Sequence, residues 1–151
     1  MSEQLQFAQF AEDPMGALEA LISQALWRAP VPLPQKAREL LMILRWYKGA
    51  HNARPLAEIA AKLKVSDREV KQHAKTLTEE YGIPVGGSRQ QPYGYFLCVT
   101  AEDYAAARRP YVHEVRSLVE RLKFHQPSQR LMEILGQLRA ELGEGEEKKS
   151  A

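Results

Sequence analysis

The chain has little cysteine and no long hydrophobic run, and these absences exclude several classes of protein. Its one cysteine, Cys98, excludes an internal disulfide and a zinc site built from several cysteines. We expect Cys98 to be a buried strand residue, which a reducing cytoplasm allows. No apolar run approaches the roughly 18 residues of a membrane helix. The N-terminal segment MSEQLQFAQFAEDP has no basic start followed by an apolar core, so we expect a cytoplasmic protein without a signal peptide.

Motifs of catalysis and metal binding are also missing. The sequence has no P-loop and no HExxH, GxSxG or CxxC pattern. Adjacent acids at 79–80 and 102–103 are explained more simply as solvated surface and a helix start than as catalytic pairs. We therefore expect no enzyme, no metal site and no cofactor. The four histidines lack the spacing of metal ligands: His51, His73, His113 and His125.

What the chain does have is an ordinary globular composition with an uneven charge. It has 151 residues, of which 44% are hydrophobic and 26% are charged, as expected of one folded domain with flanking elements. Residues 34–125 carry sixteen basic and ten acidic side chains, whereas residues 1–33 carry one and four. The positive excess thus falls on the central segment, which suits a module that binds phosphate. Chance unevenness of a solvated surface is the alternative.

Segment 56–81, LAEIAAKLKVSDREVKQHAKTLTEEY, predicts two helices joined by a tight corner. Ser66 and Glu69 have the spacing of a capping box, in which each side chain accepts from the other residue's backbone N–H. Val65 and Val70 are placed to form a hydrophobic staple around that cap. Local signals therefore agree that a helix starts at this point.

The apolar spacing of this segment predicts a helix-turn-helix. Lys64 stands at the turn, where DNA-binding versions of the motif usually have glycine, so a positive φ there would cost about 1 kcal/mol. The alternative is an ordinary helical hairpin. The inward positions are Ile59, Ala60 and Leu63 on the first helix, and Val70, Ala74, Leu77 and Tyr81 on the second.

Two helices are predicted before this motif. Asp13 and Pro14 have the residue types of an N-cap and a first helical position. That helix is either an attached flank or a segment that binds a partner protein, and prolines 30, 32 and 34 then form an extended linker. A second helix is predicted over 35–48, ended by Gly49, with a short extended piece at 53–55. Each of these helices has an apolar face that we expect to be buried. On the first helix it comprises Leu18, Leu21, Ile22, Ala25 and Leu26, and on the second it comprises Ala37, Leu40, Leu41, Leu44 and Tyr47.

After the motif, β-branched and aromatic residues predict strands at 83–85 and 95–99. The loop between them, GGSRQQPYG at 86–94, is flanked by glycines. Three helices followed by a hairpin is the order of a winged helix. A plain surface hairpin is the alternative.

The runs EEYGIPVGGSRQQPYGYFL and VTAEDYAAARRPYVHEVRSLVERL resemble small bacterial and bacteriophage winged-helix proteins. Those proteins share a G-I-P-I/V segment, a variable wing, G-Y-x-L and a helix that starts with a Thr/Ser-acidic cap. The resemblance covers about residues 36–125. It implies a DNA-binding role as a repressor, a replication-origin protein or a phage regulator, without choosing among them.

Two helices are predicted after the wing, beginning at the Thr100 cap. Pro110 should kink or restart the first of them. Their apolar seams are either dimer contacts or core against the first helix of the chain. We therefore divide the chain into 1–33, 34–100, 101–142 (with possible dimerisation) and a disordered tail at 143–151. The seams comprise Tyr111, Val115, Leu118 and Leu122, then Leu131, Leu135, Leu138 and Leu142.

Candidate DNA contacts follow from taking Val70 as an inward position of helix 67–81. The opposite face of that helix then carries basic and amide side chains. Glutamine can pair with adenine, arginine with guanine or phosphate, and lysine suits phosphate. Glu79 would face phosphate badly, so contacts should stop near Thr76. The predicted contacts are Arg68, Lys71, Gln72, Lys75 and Thr76 on the helix, and Arg89, Gln90 and Gln91 in the wing.

The sequence therefore predicts a mainly helical winged helix-turn-helix with a small β-hairpin and flanking N- and C-terminal helices. We expect it to bind double-stranded DNA as a homodimer and to control transcription or replication. The alternative is a winged-helix module that binds a partner protein, as an adaptor or inhibitor, without binding DNA.

Overall fold

The computed structural model of the protein describes residues 11–147. Its backbone divides after Arg109 into two compact units, which are taken separately below. The helices are α1 (Pro14–Ser23, continued by a π-helical turn Gln24–Arg28), α2 (Gln35–Leu44), α3 (Leu56–Leu63), α4 (Asp67–Glu79), α5 (Ala101–His125) and α6 (Ser128–Glu147). The strands are β1 (Val85–Ser88) and β2 (Gly94–Leu97), and a 3-10 turn spans Ala50–Asn52.

These elements form a winged helix-turn-helix, so the predicted fold class is confirmed. The two strands are antiparallel and form the hairpin, with Val85 opposite Leu97 and Ser88 opposite Gly94. Helices α1 to α4 share one apolar core, whose fully buried members include Ile22, Leu41 and Leu77. Leu97 of β2 is also fully buried in this core, so the hairpin packs against the helices of the first unit.

Helix α1 begins as predicted and is part of this core. The Asp13 carboxylate caps it by accepting from the Gly16 N–H at 3.0 Å. Leu18, Leu21 and Ile22 are buried in the core with the residues of α2. Because the chain itself covers this apolar stripe, the proposal that the stripe binds a partner protein is not supported.

The helix-turn-helix has the predicted local structure. The Ser66 Oγ accepts from the Glu69 N–H, and the Ser66 N–H donates to the Glu69 carboxylate at 2.8 Å, completing the capping box. Lys64 has φ 56° and ψ 46°, the left-handed conformation that the turn requires. Helix α4 ends at Glu79, two residues before the predicted end, because Gly82 has φ 70° and reverses the chain.

Replacing Lys64 by glycine should stabilise the protein, because glycine adopts positive φ without a clash at Cβ. We expect the free energy of unfolding to rise by about 1 kcal/mol. Lys64→Ala is the matched control: it removes the same charge but keeps Cβ, so it should bring no such gain. Urea denaturation measures both variants, and equal stability of the two would show that Lys64 carries no strain.

Helix α2 ends at Leu44, four residues before the predicted position. The residues that follow it hydrogen-bond to β2: the Tyr47 carbonyl accepts from the Leu97 N–H at 2.9 Å, and the Gly49 N–H donates to the Leu97 carbonyl at 2.8 Å. A helical backbone at Tyr47 would not offer this pairing. The sequence pattern favoured a longer helix because Tyr47 continues the apolar spacing of α2.

The hairpin begins and ends differently from the prediction. The strands were expected at 83–85 and 95–99, but Gly86, Gly87 and Ser88 are strand residues and the loop shrinks to 89–93. At Gly86 an added Cβ would lie 2.5 Å from Cζ of Phe96, so the missing side chain lets the ring pack against the backbone. Glycine has a low propensity for strands, so the sequence pattern did not predict a strand here, although the close approach of Phe96 requires glycine at position 86.

The second unit contains most of α5 and all of α6. Helix α5 continues through Pro110, so of the two predicted effects of this proline the restart is excluded, and the kink stays a prediction. Helix α6 begins after Pro127, where a break was expected, and it runs to Glu147. Its last turns thus reach into the segment 143–151 that we expected to be a disordered tail, and 148–151 lie outside the described residues.

Candidate nucleic-acid interface

Helix α4 presents a polar face opposite its buried side. Val70, Ala74 and Leu77 are buried, whereas none of the predicted contact residues of this helix is buried. At a rise of about 1.5 Å per residue, this face extends about 10 Å between positions 68 and 75, which is comparable with the width of a DNA major groove. Of the predicted helix contacts, Thr76 is half-buried and the others are exposed: Arg68, Lys71, Gln72 and Lys75.

The side chains on this face are mostly free to bind a ligand. Arg68, Lys71 and Gln72 have no hydrogen-bond or ion-pair partner among the residues that the structure describes. Lys75 faces Glu79 at 4.0 Å, and both side chains are exposed, so water and salt screen this ion pair. The face therefore offers three cationic groups and one amide without a strong competing contact.

The start of α4 is held in place by the capping box. Hydrogen bonds from the backbone and side chain of Ser66 hold the pKa of the Glu69 carboxyl below its usual value. That carboxylate is therefore engaged by the cap beside Arg68. On the same helix, the His73 side chain is half-buried. The cap thus fixes the helix that carries the candidate contacts.

The wing loop has a defined conformation and an exposed tip. Ser88 Oγ donates to the Gln90 carbonyl at 2.7 Å and accepts from the Gln90 N–H at 3.2 Å. Arg109 donates to the Gln90 Oε1 at 3.4 Å, so Gln90 is tied to α5. Arg89 and Gln91 are exposed, and neither has a hydrogen bond or ion pair within the described chain. The prediction named all three residues, and Arg89 and Gln91 are the two without a partner in the described part of the chain.

Sequence reasoning missed several residues near these elements. Tyr93 is an exposed aromatic residue in the wing loop. Tyr47 lies under two cations, Arg54 and Lys62. Three separate elements contribute this group, so no spacing along the chain indicates it. The one available signal was Arg54 itself, a basic residue in the extended piece before α3.

The helix start predicted at Thr100 is confirmed, with Glu102 and Asp103 in the first turn of α5, but Asp103 is buried there. Its side chain is only 7% exposed. The carboxylate accepts from the N–H groups of Ala50 at 2.9 Å, Val99 at 3.0 Å and Thr100 at 3.0 Å. Burial works to raise the pKa of this carboxyl, but the hydrogen bonds from Ala50, Thr100 and Val99 outweigh it and hold the pKa below its usual value. Asp103 thus joins the start of α5 to the turn before α3.

Two neighbours of Asp103 are held in their neutral forms. Burial, with the Asp103 charge as a smaller contribution, raises the pKa of the Cys98 thiol to about 12. Burial also raises the pKa of Tyr104 to about 12. Because a thiol is reactive as its thiolate, Cys98 is a buried packing residue and not a nucleophile at neutral pH.

Within residues 11–147, no group of three or more His, Cys, Asp and Glu side chains is arranged to hold a metal ion. In the same part of the chain, every helix is too short or too polar to cross a membrane.

Among known proteins, the chain is similar to solved structures only at low sequence identity. No protein-family model and no curated protein matches the chain. The chain is similar to a zinc-responsive MarR family member, Lactococcus lactis ZitR, with 21% identity and a TM-score of 0.34, covering 93% of this chain and 96% of that one. A point mutant of ZitR gives 19% identity, the same TM-score, and coverage of 87% and 94%. Similarity this low assigns no role to any residue.

Proposed function

We propose that the protein binds double-stranded DNA and regulates transcription or replication. The observation that carries this proposal is the face of α4, where Arg68, Lys71 and Gln72 are exposed and have no partner within the described chain. A capped helix of 13 residues fits into a major groove. The donors on its exposed face complement the acceptors on the base edges there.

The side chains suit different parts of a duplex. Gln72 can form two hydrogen bonds with an adenine edge, and Arg68 can bind guanine or a phosphate. Lys71 and Lys75 are flexible point charges, which suit phosphates. In the wing, Arg89 and Gln91 are the free groups for the backbone or an adjacent minor groove. We propose that α4 reads sequence while the lysines and the wing supply affinity.

We also propose that the protein acts as a homodimer formed through its second unit. The α5 seam is exposed to solvent: Tyr111, Val115, Leu118 and Leu122 all lie on one side of the helix. On α6, Leu131 is buried, Leu135 is half-buried and Leu138 is exposed, while the Leu142 side chain lies outside the described part. An exposed apolar stripe of this length is a feature of interaction surfaces. A two-fold dimer would present two α4 helices to two half-sites.

Two substitutions on α4 test DNA binding by the kind of effect they produce. Each lost phosphate contact changes the slope of log affinity against log salt by about 0.9. Lys75→Ala should therefore flatten the slope by about 1 per protomer and weaken all sequences alike. Gln72→Ala should leave the slope unchanged and lower the preference at one base pair by roughly 1–3 kcal/mol. Binding is measured by fluorescence anisotropy across a salt series, after selection of bound duplexes from random DNA.

The outcomes separate three situations. If both variants weaken every duplex uniformly, α4 lies along the backbone and reads no bases. If neither variant changes binding, the α4 face is not the DNA site. If the wild type binds no duplex, the protein-binding alternative replaces the proposal. An unchanged melting temperature in both variants is the control for folding, because both side chains are exposed.

A further inference from the structure

A group of three side chains, here called the Tyr47 cluster, lies outside the α4 face. It consists of Tyr47, Arg54 and Lys62. The Arg54 guanidinium lies 5.1 Å from the centre of the Tyr47 ring, and the Lys62 ammonium lies 5.3 Å from it. The Lys62 ammonium also donates to the Tyr47 hydroxyl at 2.7 Å. One aromatic ring thus holds two cations, which gives both of them a defined position.

The charge of this cluster is only partly neutralised. Lys62 forms an ion pair with Glu58 at 3.3 Å, one turn earlier on α3. Arg54 has no ion pair among the residues that the structure describes, and its side chain is exposed. Lysine is charged at neutral pH, and the hydrogen bonds from Lys62 to Tyr47 and Glu58 raise its pKa further. Two fixed cations with one carboxylate leave an excess positive charge that an anion would relieve.

The cluster lies where the helix-turn-helix meets the wing. The backbone of Arg54 pairs with Tyr95 of β2 through two hydrogen bonds, of 2.9 and 2.8 Å. Gly94, the first residue after the wing loop, lies so close to the Arg54 carbonyl that an added Cβ would be 1.7 Å from its oxygen. Lys62 is at the other end of α3, two residues before the Lys64 turn into α4. The cluster therefore lies next to β2 at Arg54 and near the turn into α4 at Lys62, and α4 and the wing are the two elements that we propose as DNA contacts.

We infer that the Tyr47 cluster is a DNA backbone contact, in which Arg54 and Lys62 bind phosphate and Tyr47 positions them. This inference rests on the proposed function. A phosphate oxygen suits the site because Arg54 is exposed, with its Cζ 5.1 Å from the centre of the Tyr47 ring, and a guanidinium offers several N–H donors to an anion. Since every duplex has the same backbone, this contact adds affinity and sets the distance between α4 and the wing without reading sequence.

The experiment measures duplex affinity across a salt series for single variants of the full chain. Arg54→Ala and Lys62→Ala should each flatten the slope of log affinity against log salt by about 0.9 per protomer. Tyr47→Leu removes the ring without removing a charge, and it should weaken binding and flatten the slope as the cations lose their positions. Tyr47→Phe keeps the ring but removes the hydroxyl that accepts from Lys62, so it should flatten the slope less than Tyr47→Leu does. Arg130→Ala is the charge control, because Arg130 pairs with Glu133 on α6.

Failure of this inference is distinguishable from failure of the proposed function. If the wild type shows salt-dependent binding that Lys75→Ala weakens, but Arg54→Ala and Lys62→Ala keep the full slope, the cluster is structural and the inference is wrong. If the wild type does not bind duplex DNA, both proposals fail. If Tyr47→Leu keeps the wild-type slope and affinity while the cation variants lose them, Tyr47 has no positioning role. Arg54 is exposed, so its variant tests the contact even if Tyr47→Leu unfolds.

Discussion

Asp103→Ala should lower the free energy of unfolding by about 3 kcal/mol, because it leaves buried backbone donors without an acceptor. The Ala50 N–H loses its partner 53 residues away in the sequence, and the N–H groups of Val99 and Thr100 lose theirs at the start of α5. Urea denaturation gives the value. Glu102→Ala is the matched control: it removes the neighbouring acid, which is exposed, and should cost less than about 1 kcal/mol. Equal costs at the two positions would contradict the anchoring role of Asp103.

The Asp103 contribution should also depend on pH in a defined direction. Because the folded protein holds the pKa of this carboxyl below its usual 3.8, the ionised form stabilises the fold. That stabilisation is present above the unfolded pKa and is lost as the pH falls through the lower folded pKa. The difference in unfolding free energy between wild type and Asp103→Asn should therefore be constant near neutral pH and shrink below about pH 4. A difference that grows on acidification would reverse this assignment.

Helix α4 shows which interactions can be predicted from a sequence, because the residues that form them are close together in the chain. The cap of α4 depends on Ser66 and Glu69, three residues apart, so the pattern that forms it is contained in a few letters of the chain. The same holds for the buried face of α4, whose members recur at three- and four-residue spacing. Once Val70 is taken as inward, helix geometry alone places Arg68, Gln72 and Lys75 on the exposed side.

The sheet was harder to predict because its partners are distant in sequence. Helix α2 ends at Leu44, and Tyr47 hydrogen-bonds to Leu97 instead of continuing the helix. Arg54 pairs with Tyr95 in the same way, so each of these contacts joins residues more than 40 positions apart. A local pattern at Tyr47 favours helix, and the competing pairing is formed only in the folded chain. Gly86 of β1 illustrates the same effect, since the ring of Phe96 on the opposite strand leaves no room for a Cβ there. The Tyr47 cluster depends on these pairings and was missed for that reason.

Leu118→Glu should convert the proposed dimer into a folded monomer and weaken binding to a two-half-site duplex by on the order of 100-fold. Leu118 is 47% exposed in the protomer, so a charge there should leave the fold intact but oppose burial between two copies. The affinity falls because the second half-site no longer binds as part of the same assembly. Sedimentation at tens of micromolar gives the mass, and anisotropy with a two-half-site duplex gives the affinity.

The matched control is His113→Glu, which places the same side chain on the opposite side of α5 and should leave the mass and affinity near those of the wild type. His113 lies five residues before Leu118, about 140° around the helix, and is exposed. Dimer mass retained in Leu118→Glu would exclude the α5 seam as the interface. A monomeric wild type at this concentration would exclude the dimer itself. DNA binding by single protomers would then have to depend on α4, the wing and the Tyr47 cluster alone, and the salt slopes of their variants would measure how much each contributes.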